Sequence, residues 1–134
     1  MRASRILETA LYVRDVAEAV KFYRDILGLV AVGKVSERNA FFRCGDGILL
    51  LFKAEETLKP SLPGHLPVPP HGTGGPGHVC FAASREEMES WRNHLAKHAI
   101  AIEAEFDWPN GAHSIYFRDP SGNSLEIAEP KLWN

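Results

Sequence analysis

The sequence has few cysteines, no long apolar run and no excess of one charge. Its two cysteines, Cys44 and Cys80, make no disulfide framework and favour a reducing compartment. No apolar run approaches the roughly 20 residues that cross a bilayer, so we expect no membrane partner. Fifteen basic and 17 acidic residues give a net charge of -2, which argues against nucleic-acid binding. Glu8 interrupts the stretch in which a signal peptide would be apolar, and we therefore expect a cytoplasmic protein.

The composition and length are those of one folded domain. Hydrophobic residues make up 45% of the 134 residues and charged residues 24%, as in ordinary globular proteins. A chain of this size buries about two-thirds of its unfolded surface, so it can fold without disulfides or a structural metal.

The first half of the chain reads as strand, helix and three strands. Residues 6–13 alternate as a strand does. Asp15 is a helix N-cap answered by Glu18, and Gly28 follows the apolar helical stripe where a left-handed C-cap is expected. Three further strands are predicted over residues 29–35, 39–44 and 47–53, which makes module 1 span about residues 5–53.

A segment rich in proline and glycine separates the two halves. Residues 54–76 contain six prolines and four glycines, which deny donors to a sheet and kink helices. We therefore interpret this segment as a linker between modules, with a functional lid as the less favoured alternative.

The second half repeats the order of the first. A strand over residues 78–83 precedes a helix that begins at the capping box of Ser84 and Glu87. Strands follow over residues 100–106, 113–118 and 124–129. Module 2 therefore spans about residues 77–130, and the chain holds two βαβββ modules in an α+β fold.

The repeat aligns a few polar residues at equivalent positions. Glu8 aligns with His78 in the two first strands, and Leu50 aligns with Glu126 in the two last strands. If the modules face each other, Glu8, His78 and Glu126 converge among apolar residues. A divalent cation (Mn, Fe, Co, Ni or Zn) suits these ligands and offsets their desolvation. Taken singly, each of the three is explained more simply as a solvated or core-packed side chain.

Four sequence runs carry a family resemblance. They are YVRDV at residues 12–16, FYRDILGL at 22–29, GHVCF at 77–81 and IYFRDPSGNSLEI at 115–127. With them the sequence resembles the vicinal oxygen chelate superfamily, which includes glyoxalase I, fosfomycin-resistance proteins, bleomycin-resistance proteins and extradiol dioxygenases. The resemblance covers nearly the whole chain and is specific for the fold rather than for the substrate.

The resemblance implies a cupped mixed sheet around a central metal site. The family's metal-ligand positions fall on Glu8, His78 and Glu126, where Glu8 replaces the usual histidine. The extra ligand of glyoxalase I falls on Leu50, which cannot bind metal. Glu8 is either a ligand or a general base, and Glu8 and Glu126 are the catalytic candidates.

The implied activity is that of a divalent-metal-dependent enzyme acting on a small molecule. Lyase- or isomerase-type proton transfer would use a metal-stabilised enolate or oxyanion. The alternatives are an extradiol-type dioxygenase and a metal-free protein that binds a small molecule or drug and confers resistance. A homodimer is implied, and the site lies within one chain or is shared between two.

Three further side chains are candidates for contacting the substrate. Arg43 and Arg118 lie at strand ends, where either could meet an anionic group, and His113 begins the strand predicted over residues 113–118. Solvated or structural roles are the more common explanation for such residues.

Overall fold

Each half of the chain folds as one βαβββ module, as predicted. The computed structural model describes residues 1–134, which divide into unit 1, Met1–Gly75, and unit 2, Pro76–Asn134. Unit 1 contains β1 (Glu8–Tyr12), α1 (Val16–Asp25), β2 (Val30–Ala31), β3 (Asn39–Cys44), β4 (Gly47–Phe52) and the short α2 (Ala54–Thr57). Unit 2 contains β5 (His78–Ala82), a 3-10 turn (Arg85–Glu87), α3 (Met88–Lys97), β6 (Ala104–Asp107), β7 (His113–Arg118), β8 (Ser124–Ala128) and a closing 3-10 turn (Pro130–Trp133).

The two sheets have the same strand order. The order is β1-β4-β3-β2 in unit 1 and β5-β8-β7-β6 in unit 2. In each sheet the first strand runs parallel to the last, and the other pairs are antiparallel.

The strand registers confirm the predicted alignment of the repeats. Glu8 pairs with Ile48 as His78 pairs with Ser124. Two residues further on, Ala10 pairs with Leu50 as Cys80 pairs with Glu126. Leu50 and Glu126 therefore occupy equivalent places on equivalent faces, because alternate residues of a strand share a face.

Local sequence signals explain where α1 begins and ends. The Asp15 carboxylate accepts a hydrogen bond from the Glu18 N–H at 2.9 Å, which satisfies one of the free donors of the first turn. Gly28 ends the helix with a φ of +65°, and the N–H of Leu29 closes the cap on the carbonyl of Tyr23 at 3.1 Å. The helix buries Val16, Ala19, Phe22 and Tyr23.

Each sheet buries one of its faces. In unit 1 this face carries Leu11, Ala40, Phe42, Leu49 and Leu51. In unit 2 it carries Ile115, Phe117, Leu125 and Ile127, all fully buried. Burying a side chain of this size contributes about 1.5–3 kcal/mol, so these faces hold each sheet in place. The opposite face of each sheet carries the polar candidates other than His113 and is described below.

Three elements differ from the sequence-based expectation. The second strand, predicted over 29–35, has only the two residues of β2, because Gly33 turns the chain with a φ of +72°. The strand predicted over 100–106 begins at Ala104, because Ala99 takes a positive φ of 55° and the following residues complete the turn out of α3. A helix, α2, forms at the start of the segment predicted to be a linker without regular structure.

The rest of that segment folds back over unit 1, and we call residues 54–75 the strap. The N–H of His71 donates to the carbonyl of Thr57 at 3.0 Å. Gly72 lies so close to α2 that a Cβ on it would be 2.8 Å from Cγ of Leu58. The His71 ring contacts Phe52 at a centroid distance of 4.8 Å. The strap is therefore fixed both to itself and to β4.

No helix of the chain is both long and apolar enough to cross a bilayer.

Candidate metal centre

In unit 2, β5 and β8 bring His78 and Glu126 together. Nε2 of His78 lies 3.3 Å from Oε2 of Glu126, and Nδ1 of His78 lies 2.9 Å from the carbonyl oxygen of Ser124. Because a carbonyl only accepts, Nδ1 carries the proton, and in the neutral ring Nε2 presents a lone pair to the carboxylate. Two acceptors at this distance require a shared proton or a cation between them. The pair therefore has the chemistry of two metal ligands.

The Glu126 carboxylate is buried and held by a short relay. Its side chain is 5% exposed. The hydroxyl of Ser114 donates to Oε1 at 2.6 Å, and the indole N–H of Trp108 donates to that hydroxyl at 2.8 Å. The relay orients one carboxylate oxygen and leaves Oε2 directed at His78. Outer partners of this kind fix the orientation of ligating side chains in metal sites.

Tyr116 and Cys80 surround the same carboxylate. Burial raises the pKa of Tyr116 to about 12 and the pKa of Cys80 to about 12, and the negative charge of Glu126 adds to both shifts. Both groups therefore remain protonated at neutral pH. The Tyr116 ring also stacks on His78 at a centroid distance of 6.2 Å. The surroundings of Glu126 supply donors and no second negative charge.

Glu8 belongs to unit 1, at the start of β1. Its side chain is exposed, and Leu50 occupies the place in unit 1 that Glu126 occupies in unit 2. No group of three or more His, Cys, Asp or Glu side chains in the chain is placed to hold a metal ion. The three-ligand set of Glu8, His78 and Glu126 therefore stays a prediction.

The donor atoms of unit 2 fit a divalent metal in part. An imidazole nitrogen and a carboxylate oxygen are ligand types of Mn, Fe, Co, Ni and Zn. His78 already has the carbonyl partner that metal-binding histidines use. A complete site needs at least one further protein ligand beyond His78 and Glu126.

The three predicted substrate contacts lie in different surroundings. Arg118 is exposed and donates two hydrogen bonds to the Glu103 carboxylate, from Nε at 2.6 Å and from Nη2 at 3.0 Å. Arg43 is exposed on β3. His113 is buried, with its ring nitrogens 2.8 Å from Asp107 and 2.7 Å from Glu105. Since Ser114 faces Glu126, its neighbour His113 points to the opposite face of the sheet. The substrate roles of all three stay predictions.

Sequence reasoning missed two members of the centre, Trp108 and Tyr116. The residues after Trp108, Pro109-Asn110-Gly111, indicate a turn, and nothing in them indicates that the indole reaches Ser114. Tyr116 could have been found, because it lies two residues beyond Ser114 and pairs directly with Glu126 in the β7–β8 register.

The chain is similar to several known proteins. Residues 5–127 match the sequence model of the family described as the Glyoxalase/Bleomycin resistance protein/Dioxygenase superfamily. A crystal structure of lactoylglutathione lyase from Agrobacterium tumefaciens superimposes with a TM-score of 0.94 and 42% identity, covering 100% of this chain and 99% of that one.

Two other relatives are more distant. The metallothiol transferase FosB of Staphylococcus haemolyticus is 31% identical over 116 residues, which are 86% of this chain and 76% of that protein. The structure of virulence protein STM3117 from Salmonella typhimurium has a TM-score of 0.73 at 26% identity, covering 96% of this chain and 98% of that one.

Proposed function

The chain belongs to the Glyoxalase/Bleomycin resistance protein/Dioxygenase superfamily, and from that premise we propose that it is a divalent-metal-dependent enzyme acting on a small molecule. The reaction is of the lyase or isomerase type, with proton transfer next to a carbonyl. The similarity to the lactoylglutathione lyase supports this class, and that to the metallothiol transferase supports a metal and a thiol-bearing substrate.

The observation that carries the proposal is the pairing of His78 with Glu126. Nε2 of His78 faces Oε2 of Glu126 at 3.3 Å, with His78 hydrogen-bonded to a carbonyl and Glu126 to Ser114. Both side chains are thus oriented before any ion arrives, and preorganised ligands lose little freedom on binding.

Glu8 completes the set as the third ligand or serves as the general base. A second copy of the chain in a homodimer would supply it if the two units of one chain do not. We keep the expectations of a homodimer and of a cytoplasmic location as parts of this proposal.

The roles of the residues follow from their surroundings. A bound divalent ion would polarise a substrate oxygen and stabilise the charge that develops on it. His78 and Glu126 hold that ion, and Ser114 keeps the Glu126 carboxylate in place. Glu8 accepts the substrate proton if it is not itself a ligand. Tyr116, neutral at working pH, can donate a hydrogen bond to an anionic oxygen.

Metal content measured by elemental mass spectrometry tests the site. We expect near-stoichiometric Mn, Fe, Co, Ni or Zn in protein purified without chelators, and less than about a tenth of it in E126Q and in H78A, because each removes one oriented ligand. The exposed Glu86, changed in E86Q, is the matched control and should keep its metal. Unchanged metal in E126Q, with a normal circular dichroism spectrum, would overturn the assignment.

The Ser114 relay predicts a smaller effect. In S114A the carboxylate keeps its charge and loses its orienting donor, so metal affinity should fall about tenfold while the ion still binds. Isothermal titration calorimetry with Zn measures this affinity in S114A and in the unmodified chain. An affinity equal to that of the unmodified chain would show that the hydroxyl plays no part in ligand orientation.

Activity is tested first with lactoylglutathione, the compound named in the similar Agrobacterium enzyme. Turnover that a chelator abolishes and one of the five metals restores is the expected result. Dioxygen uptake with a catechol, without turnover of the first substrate, would favour the dioxygenase alternative.

A metal-free binding protein is the second candidate, and Leu50 favours it. The equivalent of Glu126 in unit 1 is apolar and offers no ligand. This candidate predicts a chain that carries no metal and yet is stabilised against heat by a small molecule in the presence of chelator.

A further inference from the structure

Unit 1 contains a cavity of about 330 Å³ between its sheet and the strap. Phe41 and Phe52 line it from the sheet, and Val68 and His71 line it from the strap. A second cavity of about 330 Å³ adjoins it along residues 60–66. Both volumes are at the lower end of the range for small-molecule pockets. Every lining residue belongs to unit 1, so neither His78 nor Glu126 takes part.

The walls of the cavity are already fixed. The Tyr12 hydroxyl lies 2.6 Å from Nδ1 of His71, which ties the strap to β1. Within the strap, the Ser61 hydroxyl donates to the carbonyl of Val68 at 2.8 Å. A ligand therefore need not order the strap when it binds, which removes part of the usual entropic cost of binding.

One cation at the rim has no carboxylate within salt-bridge distance, although Glu56 lies within its electrostatic reach. Arg38 lines both cavities, is exposed and forms no ion pair. Lys59, the other basic residue of the lining, is held by Glu56 at 3.0 Å. The carbonyl of Arg38 accepts from the Lys53 N–H at 3.0 Å, which fixes its backbone at the end of the sheet. The Arg38 guanidinium is therefore the cation of the lining that is not already held by a carboxylate, and it can pair with an anion.

The floor of the cavity is aromatic. Phe41 and Phe52 meet edge to face at a centroid distance of 5.6 Å, and His71 meets Phe52 edge to face at 4.8 Å. A further ring can extend this arrangement, because aromatic side chains favour offset and edge-to-face contacts over a range of about 4.5–7 Å.

We propose that this cavity binds a small carboxylate that carries one aromatic ring. The carboxylate pairs with the guanidinium of Arg38, whose planar fork matches a carboxylate. The ring packs against Phe41 and Phe52 beneath Val68. This binding site is lined by unit 1 alone and requires no metal.

Binding is tested with phenylacetate and with its neutral counterpart phenylacetamide, in the full chain with chelator present. Backbone amide signals of Asn39, Phe52 and His71 are followed by heteronuclear NMR during titration. We expect saturable shifts with phenylacetate and a dissociation constant about fivefold larger for phenylacetamide, as for loss of one exposed ion pair. Equal constants for the two probes, or shifts confined to unit 2, would overturn the proposal.

Three variants sharpen the result. R38Q should abolish the difference between the two probes, whereas K34Q, which removes an exposed cation outside the cavity, should preserve it. V68D places a negative charge on the exposed strap and should weaken phenylacetate binding severalfold; an unchanged constant would contradict the placement. H78A should bind phenylacetate with an unchanged dissociation constant, because His78 does not line the cavity. Loss of bound metal in H78A bears only on the proposed function. Loss of phenylacetate binding in H78A would overturn the unit 1 site.

Discussion

The two modules share one backbone plan and differ in what they place on the open face of the sheet. Module 2 puts His78 and Glu126 there, with Ser114 and Tyr116 as their partners. Module 1 puts Glu8 and Leu50 at the equivalent positions and covers part of the same face with the strap. The comparison shows that the register fixes where the candidate side chains lie, whereas the residue types decide that module 2 brings a histidine and a carboxylate together and module 1 does not.

The buried faces of the modules are nearly interchangeable by contrast. Leu49 and Leu125 occupy equivalent register positions and are 2% and 0% exposed. The modules thus keep their cores alike while their open faces diverge.

The largest effect should come from truncating these two leucines. L49A and L125A should each lower the free energy of unfolding by about 2–5 kcal/mol, because each leaves a cavity in a buried face. Urea denaturation followed by circular dichroism measures both, with L62A, at an exposed position of the strap, as a control expected to stay within about 0.5 kcal/mol. A cost below about 1 kcal/mol for one of the leucines would show that the two cores are not equivalent.

A smaller loss of stability should distinguish the turn before β8 from the turn before β4. In module 2, Asn123 is buried, accepts from the Gly77 N–H at 2.8 Å and donates to Asp119 at 2.9 Å. N123A removes both side-chain hydrogen bonds and takes the acceptor of the Gly77 N–H away, which should cost about 1–3 kcal/mol. Asp46, in the short exposed turn of module 1, is the counterpart, and D46A should change stability by less than about 0.5 kcal/mol in the same assay. Equal losses of unfolding free energy in N123A and D46A would show that the two turns do not differ in their contribution to stability.

The smallest effect should be a loss of folding stability at acid pH that depends on Glu105. A hydrogen bond from Arg92 at 2.5 Å, aided by His113, holds the pKa of Glu105 below its ordinary value of 4.5. The stabilisation that ionised Glu105 gives to the folded chain is therefore fully present above pH 4.5. It is lost as the pH falls through the lower pKa that Glu105 has in the folded state. Since the pair is partly exposed, we expect less than about 1 kcal/mol.

The E105Q variant tests this sensitivity. Its unfolding free energy should fall less steeply between pH 4.5 and 2 than that of the unmodified chain. E37Q, which changes an exposed carboxylate, is the control and should follow the unmodified curve. Identical slopes in E105Q and the unmodified chain would remove Glu105 from the account of acid stability.

Most of the fold could be predicted from local patterns. The bounds of β3 and β7 match the expectation, and the cap at Asp15 and the turn at Gly28 lie where the sequence indicates. The register equivalence of Glu8 with His78 also followed from the repeat alone. These features depend on nearby residues, whose spacing is visible in the sequence.

What could not be predicted depends on contacts between distant residues. The indole of Trp108 reaches Ser114 only after a turn of the chain has formed. The prolines of the strap exclude sheet and so indicate a linker, yet His71 attaches it to Tyr12, 59 positions away in sequence. Glu8 belongs to the candidate site through the repeat alignment and the resemblance, both of which the sequence alone provides.

The close approach of Gly72 to Leu58 also governs how the cavity of unit 1 could change during evolution or engineering. Any side chain at position 72 would clash with Cγ of Leu58 and with the carbonyl of Ala54, 3.2 Å from the same point, so α2 would have to move relative to the end of the strap. The contact lies between two residues that line the cavity, Thr57 and His71, so a change at Gly72 would reach the cavity through the packing of the strap. A selection for binding in this cavity is therefore expected to keep the glycine.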